Sequence, residues 1–264
     1  MTGEYKMAAV FFDIDGTVWD RENVIPESTV KSIQMLHENG HLAFLCSGRT
    51  RVMIFGEHLL SLGFDGILGG CGTYIEYQGE QIYLQEIEKE KLDWTVSVLH
   101  KYNLPILLEA PQELYMDAEM MTNGYGKYIK ERLGELVYPI AGNEERMHAC
   151  KMCVELNGRA YEKAAEILKE EYNLLVHGEQ VLEMVPKSHS KATGIQEVCI
   201  YLGIDHKDTY AFGDSINDKD MLEYVAHGVA MGNGTPEVKA VADYVTTDIH
   251  EDGIYNGLKH FGLI

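Results

Sequence analysis

Apolar positions along this chain follow two rhythms, and the switches between them mark out its elements. Residues 8–12 are an unbroken apolar run of strand length, as a strand buried on both faces requires. Pro26 opens a helical stretch that Gly40 is suited to end, since glycine readily takes the left-handed C-cap. A second buried strand follows at 42–46, then a helix ending near Gly63, then strands over 67–77 with Gln78-Gly79-Glu80 as a turn. The last third repeats the alternation. Ile195, Val198, Cys199 and Leu202 stand at i, i+3, i+4 and i+7, one face of a helix. A strand at 209–212, a helix over about 216–225 and short apolar strands at 228–231 and 244–246 complete it. Strands alternating with helices predict an α/β fold, a Rossmann-like doubly wound parallel sheet with helices on both faces.

The middle third has another texture. Helical signals (Leu92, Val96, Leu99; Tyr161, Ala164, Ala165, Leu168) are interspersed with alternating strands at 104–109, 113–118, 149–156 and 174–185. This predicts an inserted α+β domain over 81–186, with 1–80 and 187–264 joining into one sheet around it. At about 105 residues the insertion can hold its own core. The full 264 residues, about 1.8 times a 150-residue domain, suit that division.

Composition narrows the possible partners. With 22 Lys+Arg against 42 Asp+Glu the net charge is −20, which repels nucleic-acid phosphates and anionic lipid. Neither is expected as a partner, whereas a small phosphorylated ligand is admissible if a local cation offsets the field. The start, Met1-Thr2-Gly3-Glu4-Tyr5-Lys6, lacks the basic and apolar regions of a signal peptide, and no run of 18 apolar residues occurs. Five scattered cysteines fit the cytoplasm. Cys150-Lys151-Met152-Cys153 has a metal-like spacing, but it lies in an alternating run, where residues three apart point to opposite faces. No second Cys/His pair accompanies it at zinc-finger spacing.

The chemistry concentrates at strand ends. Phe11-Phe12-Asp13-Ile14-Asp15-Gly16-Thr17 carries two carboxylates at i and i+2, leaving on the same side at the carboxyl end of a buried strand. An Asp-Gly turn with a capping Asp is the plainer account of the same letters. Tyr210-Ala211-Phe212-Gly213-Asp214-Ser215-Ile216-Asn217-Asp218 repeats the arrangement, with Asp218 in the first turn of the next helix. If the two strands are neighbours, four carboxylates (Asp13, Asp15, Asp214 and Asp218) converge, and like charges about 4 Å apart repel by roughly 4 kcal/mol at an effective dielectric of 20. A divalent cation resolves this, and oxygen-only ligands favour Mg²⁺ over zinc. Helix capping by Asp214 and Ser215, with dipole compensation by Asp218, competes with that reading. Leu45-Cys46-Ser47-Gly48-Arg49-Thr50 leads from strand to helix, so Ser47 and nearby amides can hold phosphate oxygens. Lys191 opens a later helix, where its charge opposes the helix dipole; a neutralised phosphate or a plain surface site would each account for it.

In this order the stretches resemble the motifs of the haloacid dehalogenase superfamily of phosphotransferases: DxDGT at Asp13, the Ser/Thr motif at Ser47, the Lys motif at Lys191 and GDxxND at Asp214 to Asp218. The insertion between Ser47 and Lys191 is similar in size and texture to the subclass IIB cap of the Cof-like sugar-phosphatase group. Met231-Gly232-Asn233-Gly234-Thr235-Pro236 and Glu251-Asp252-Gly253 also resemble that group's late motifs. The resemblance implies a Mg²⁺-dependent phosphatase of small phosphorylated metabolites, sugar phosphates or cofactors such as pyridoxal phosphate or flavin mononucleotide. It makes Asp13 the nucleophile and Asp15 the general acid and base. Ser47, Gly48 and Lys191 would bind phosphate. The metal would be held by Asp13, the backbone carbonyl of Asp15 and Asp214, with Asn217 and Asp218 supporting it. Cys71-Gly72 stands where that group commonly has Asn-Gly, Ser188-His189 where it has Gly-Val, and Trp19 where a small aliphatic is usual. Met120, Met121, Asn123 and Tyr125 could be cap contacts, although a methionine pair is more often core. A phosphomutase of the same fold is the alternative function. A phospho-accepting signalling domain is disfavoured by Asp15 and by the large insertion.

Overall fold

The computed structural model describes residues 7–122, 124–178 and 180–264. Met1 to Lys6, where no signal peptide is expected, and Asn123 lie outside the described residues. The chain forms two compact units. The first takes the residues up to Gly48, Ile54–Tyr83 and Ser190–Ile264; the second takes Arg49–Met53 and Leu84–His189.

The first unit begins with β1 (Ala9–Phe12), α1 (Glu27–Glu38), β2 (Leu42–Cys46), a short α2 (Glu57–Leu60), β3 (Gly66–Gly69), β4 (Tyr74–Tyr77) and β5 (Glu80–Leu84). The longer helix expected before Gly63 is broken, because Gly56 sits at φ +117°, which no helix can contain. The Gln78-Gly79 turn leads into β5, which lies beside β4.

The second unit contributes α3 (Lys89–Lys101), β6 (Ile106–Glu109), β7 (Leu114–Met116), α4 (Gly124–Leu133), β8 (Val137–Pro139), β9 (Lys151–Glu155), α5 (Glu162–Leu168), β10 (Tyr172–His177) and β11 (Val181–Pro186). Its sheet order is β10-β11-β9-β6-β7-β8. The strand read over 174–185 is an antiparallel hairpin, Leu175 facing Glu183, because Gly178 turns the chain at φ +59°. Leu108, Met152 and Val154 pack with Leu92, Val96, Leu99, Ala164 and Leu168 from α3 and α5. Leu107, Met116 and Cys153 belong to a separate cluster with Met53, Met120 and Ile129. Met120 is thus a core residue, and no disulfide joins cysteines among the described residues.

The chain then returns to the first unit through α6 (Lys191–Leu202), β12 (Thr209–Gly213), α7 (Lys219–Tyr224), β13 (His227–Ala230), α8 (Pro236–Lys239), β14 (Tyr244–Val245) and α9 (Gly253–His260). The sheet runs β14-β13-β12-β1-β2-β3-β4-β5, parallel from β14 to β3 and antiparallel from β3 to β4. Strand order reverses at β1, so its carboxyl end opens on the crevice where such sheets bind ligands. Strand alternation sends the residues of β1 to two faces. Val10 and Phe12 join Ile33 and Leu36 of α1 and Ile254 and Leu258 of α9; Ala9 and Phe11 join Ile195 and Val198 of α6 and Met221 of α7. Phe12 stacks on Phe212 at 5.2 Å, and Phe11 on Phe44 at 5.1 Å. A strand covered on both sides has no room for polar residues, so charge can leave it only at its end.

Candidate active site

That end is Asp13. Its amide donates to the Phe212 carbonyl at 2.9 Å, continuing the parallel register in which Phe12 faces Phe212. Asp214 follows Gly213 at the end of the adjoining β12, so the two carboxylates leave neighbouring strands at the same edge. One oxygen each from Asp13, Asp214 and Asp218 lies within 4.8 Å of the others.

Asp218 reconciles the two readings of its motif. Its Oδ2 accepts from the amides of Asp214 and Ser215, each at 2.9 Å, so it does cap the turn after β12. Its Oδ1 accepts from Lys191 Nζ at 2.5 Å, so it also belongs to the charged cluster. Asn217 Oδ1 accepts from Ser215 Oγ at 2.5 Å, which ties Asn217 to the same turn.

Lys191 is not a surface lysine. It is the first residue of α6, 1% exposed, and its ammonium also donates to Asp13 Oδ1 at 2.6 Å. Ser190 caps the helix reciprocally with Thr193, and the Ala192 amide donates to Asp220 Oδ2 at 3.2 Å, so the Lys191 ammonium is left to the carboxylates. Burial and the charge of Asp218 push the Asp13 carboxyl well above the usual range, against the opposing pull of Lys191. The lysine, although burial opposes its charge, is raised by the facing Asp13 and Asp218.

Asp214 is the member of the group with least support. Burial, then the charge of Asp218, push its carboxyl up to about 7, and its buried Oδ1 has no hydrogen-bond partner. An orphaned anionic oxygen of this kind is costly unless a cation meets it. The donors are hard carboxylate oxygens, the set Mg²⁺ prefers, so the residues present fit such an ion.

Gly16 packs directly against this group. At φ +84° it turns the chain away, and a Cβ there would lie 2.3 Å from Asp214 Oδ2. Asn233 donates to the Gly16 carbonyl at 2.7 Å and accepts from the Ile249 amide at 3.0 Å, tying a late loop to the first one. Its motif was legible, but the tie depends on loops 217 residues apart in sequence. A cavity of about 360 Å³, lined by Gly16, Asp20, Asp214, Asn233, Asp248 and His250 among others, opens at this edge.

The other predicted residues sit around the group rather than in it. The Asp15 carboxylate is exposed and accepts from the Trp19 indole Nε1 at 2.9 Å, a partner that sequence pattern did not reveal. Ser47 is buried just past β2. Its amide donates to the Leu68 carbonyl at 2.8 Å, and its carbonyl accepts from the Cys71 amide at 3.1 Å. Cys71, at φ +54°, holds a left-handed conformation that asparagine or glycine adopts more easily. Gly48 follows Ser47 and ends the first segment of the sheet unit. Of the residues read as cap contacts, Tyr125 is about half exposed, at 44%, and stacks on Tyr128 at 6.4 Å.

Comparison with known proteins agrees with this arrangement. The family model described as haloacid dehalogenase-like hydrolase matches residues 10–258. Putative phosphatase YkrA of Bacillus subtilis is 32% identical over 257 residues, covering 97% of this chain and 98% of that protein. The 5-amino-6-(5-phospho-D-ribitylamino)uracil phosphatase YitU of the same organism is 27% identical over 274 residues, with 98% of each chain covered. The solved structure of BT4131, described as a subclass IIB sugar phosphatase, superposes with a TM-score of 0.82 at 28% identity, covering 98% of this chain and 100% of that one. With a match of this extent and two acidic strand ends meeting at a buried lysine, the chain belongs to the haloacid dehalogenase-like hydrolases and is an enzyme of that family's phosphatase kind.

Proposed function

We propose that this enzyme is a Mg²⁺-dependent phosphomonoesterase of the cytoplasm, hydrolysing small phosphorylated metabolites through an aspartyl-phosphate on Asp13. The supporting observation is the group at the ends of β1 and β12: three carboxylates, a buried lysine bonded to two of them, and an orphaned oxygen on the third. Asp13 attacks phosphorus while the bond to the leaving oxygen breaks. Asp15, as the acid, gives that oxygen a proton; as the resulting base, it takes a proton from the water that attacks the aspartyl-phosphate. Ser47, the amide of Gly48 and Lys191 hold the oxygens of the transferring group. Asp13, the Asp15 carbonyl and Asp214 would hold Mg²⁺, supported by Asn217 and Asp218. When bound, the ion supplies positive charge to the phosphoryl oxygens. No helix among the described residues is long and apolar enough to cross a membrane.

YitU is named for a phosphorylated ribitylamino compound and BT4131 for sugar phosphates. Phosphorylated polyols and sugars, with flavin mononucleotide and pyridoxal phosphate, are therefore the first substrates to try. The test is phosphate release from such a panel, with Mg²⁺ and with chelator. Wild-type release that chelator stops, and that Asp13→Asn lowers by at least about 10³-fold with the fold intact, is the expected result. Chelator-resistant release, or an active Asp13→Asn enzyme, would remove the metal or the nucleophile from the reading.

A further inference from the structure

We propose that Trp19 is a positioning residue for the general acid: its indole N–H holds one oxygen of the Asp15 carboxylate, so that the acid meets the leaving group in a fixed orientation. The inference rests on the acid role given to Asp15 above. Its basis is the 2.9 Å bond from Trp19 Nε1 to Asp15 Oδ1. Asp15 is exposed, and a two-torsion side chain on the surface needs a directional partner to keep one rotamer. An indole N–H donates in one direction only and accepts nothing, so it can bind a carboxylate oxygen without competing for the acid's proton on the other oxygen.

The indole is itself immobilised. Trp19 is 2% exposed in the cluster that contains Phe12 and Ile14, and its ring stacks on His58 at 5.5 Å and 26°. His58 is anchored in turn by Nε2 to the Asn23 carbonyl at 3.1 Å. Gly56 leaves room for the stack, since a Cβ there would come within 3.0 Å of the His58 ring. The backbone closes the same loop: Gly16 N–H donates to the Trp19 carbonyl at 2.8 Å, and Trp19 N–H to the Ile14 carbonyl at 3.1 Å. Acid and holder are therefore two ends of one rigid turn, four residues apart, and an aliphatic residue at 19 would fill the core without supplying the donor.

Leaving-group dependence tests the proposal. A general acid matters where the leaving alkoxide is strongly basic and matters little where it departs unaided. Trp19→Phe, and a variant with β-(3-benzothienyl)alanine at 19, which keeps the bicyclic shape but has sulfur in place of N–H, would be measured against an alkyl, a phenyl, a p-nitrophenyl and a 2,4-dinitrophenyl phosphate. The expected result is kcat/KM about tenfold lower on the alkyl ester and unchanged within about twofold on the dinitrophenyl ester. In an Asp15→Asn background the same substitutions should change nothing further. Equal loss across the series, no loss, or a gain on the alkyl ester overturns the proposal. The benzothienyl variant keeps the test valid if phenylalanine unfolds the loop. Failure of the underlying acid role is separately visible, because Asp15→Asn alone would then lose kcat/KM equally on all four esters instead of most on the alkyl ester.

Discussion

Replacing Lys191 by methionine removes an ammonium and little else from the middle of the carboxylate group. Lys191, Asp13 and Asp218 are 1%, 4% and 0% exposed, so water cannot take over from the missing charge. Breaking a buried, hydrogen-bonded ion pair from one side costs about 3–5 kcal/mol, because the remaining charges stay uncompensated. For a chain of this size that corresponds to a fall in Tm of about 6–20 °C. The measurement is thermal unfolding by circular dichroism in chelator. The pH dependence carries a sign. Asp13 and Asp214 titrate above the ordinary carboxylate value of 3.8, so the folded chain keeps protons that the unfolded chain has lost. Their contribution to stability therefore falls as pH rises from about 4 toward the raised values. Without the lysine this trend steepens, and the deficit of Lys191→Met should be larger at pH 8 than at pH 5.5. Adding Asp218→Asn removes one of the two stranded charges and should restore part of the loss. An unchanged Tm, or a deficit that does not vary with pH, would refute the electrostatic account of the cluster.

Two further perturbations act on Asp214. With its carboxyl near pH 7, Mg²⁺ must displace a proton to bind in acid, so calorimetry should show release approaching one proton at about pH 6 and little at pH 8. The Mg²⁺-induced rise in Tm should accordingly be larger at pH 8, and pH-independent binding without proton release would count against Asp214 as a ligand. Gly16→Ala puts a methyl 2.3 Å from Asp214 Oδ2 at a φ of +84°. That should lower Mg²⁺ affinity at least about tenfold, since backbone strain and a displaced carboxylate act together; unaltered affinity would show that the carboxylate has room to move.

Position along the chain was easier to read than orientation. The all-apolar run of β1 announces a strand covered on both faces, and Asp13 and Asp214 stand at the ends of adjoining strands because a strand so covered can carry charge nowhere else. The broken stretch before Gly63 was harder, since the 51–60 letters are helix-compatible and only the φ of Gly56 interrupts them. Helix α4 begins Gly-Tyr-Gly, which hides its periodicity behind residues that usually mark turns. The hairpin of β10 and β11 reads as one run for a similar reason, its turn being marked by Gly178. In the site, the Asp218 motif was visible, but its two oxygens going separately to amides and to a lysine 27 residues upstream is a tertiary fact. So is Trp19, whose apolar body explains its place in the core while its N–H reaches Asp15 only once the turn closes.

The place of β1 in the sheet also governs the order in which the enzyme can be assembled. β2 follows β1 within a few dozen residues, but the partner on its other side, β12, begins at Thr209, after the whole of the inserted unit. A growing chain therefore carries the apolar strand Ala9–Phe12 with one edge open while some two hundred further residues are made. Such an edge is a site for wrong pairing, and its closure is among the most non-local contacts in the molecule. The inserted unit between Leu84 and His189 is nearly contiguous and can collapse while the edge waits. The same late event brings Asp214 beside Asp13, so synthesis cannot yield a competent catalyst before the sheet around β1 is shut. Refolding from denaturant should accordingly recover ellipticity of the inserted unit ahead of phosphate-releasing activity.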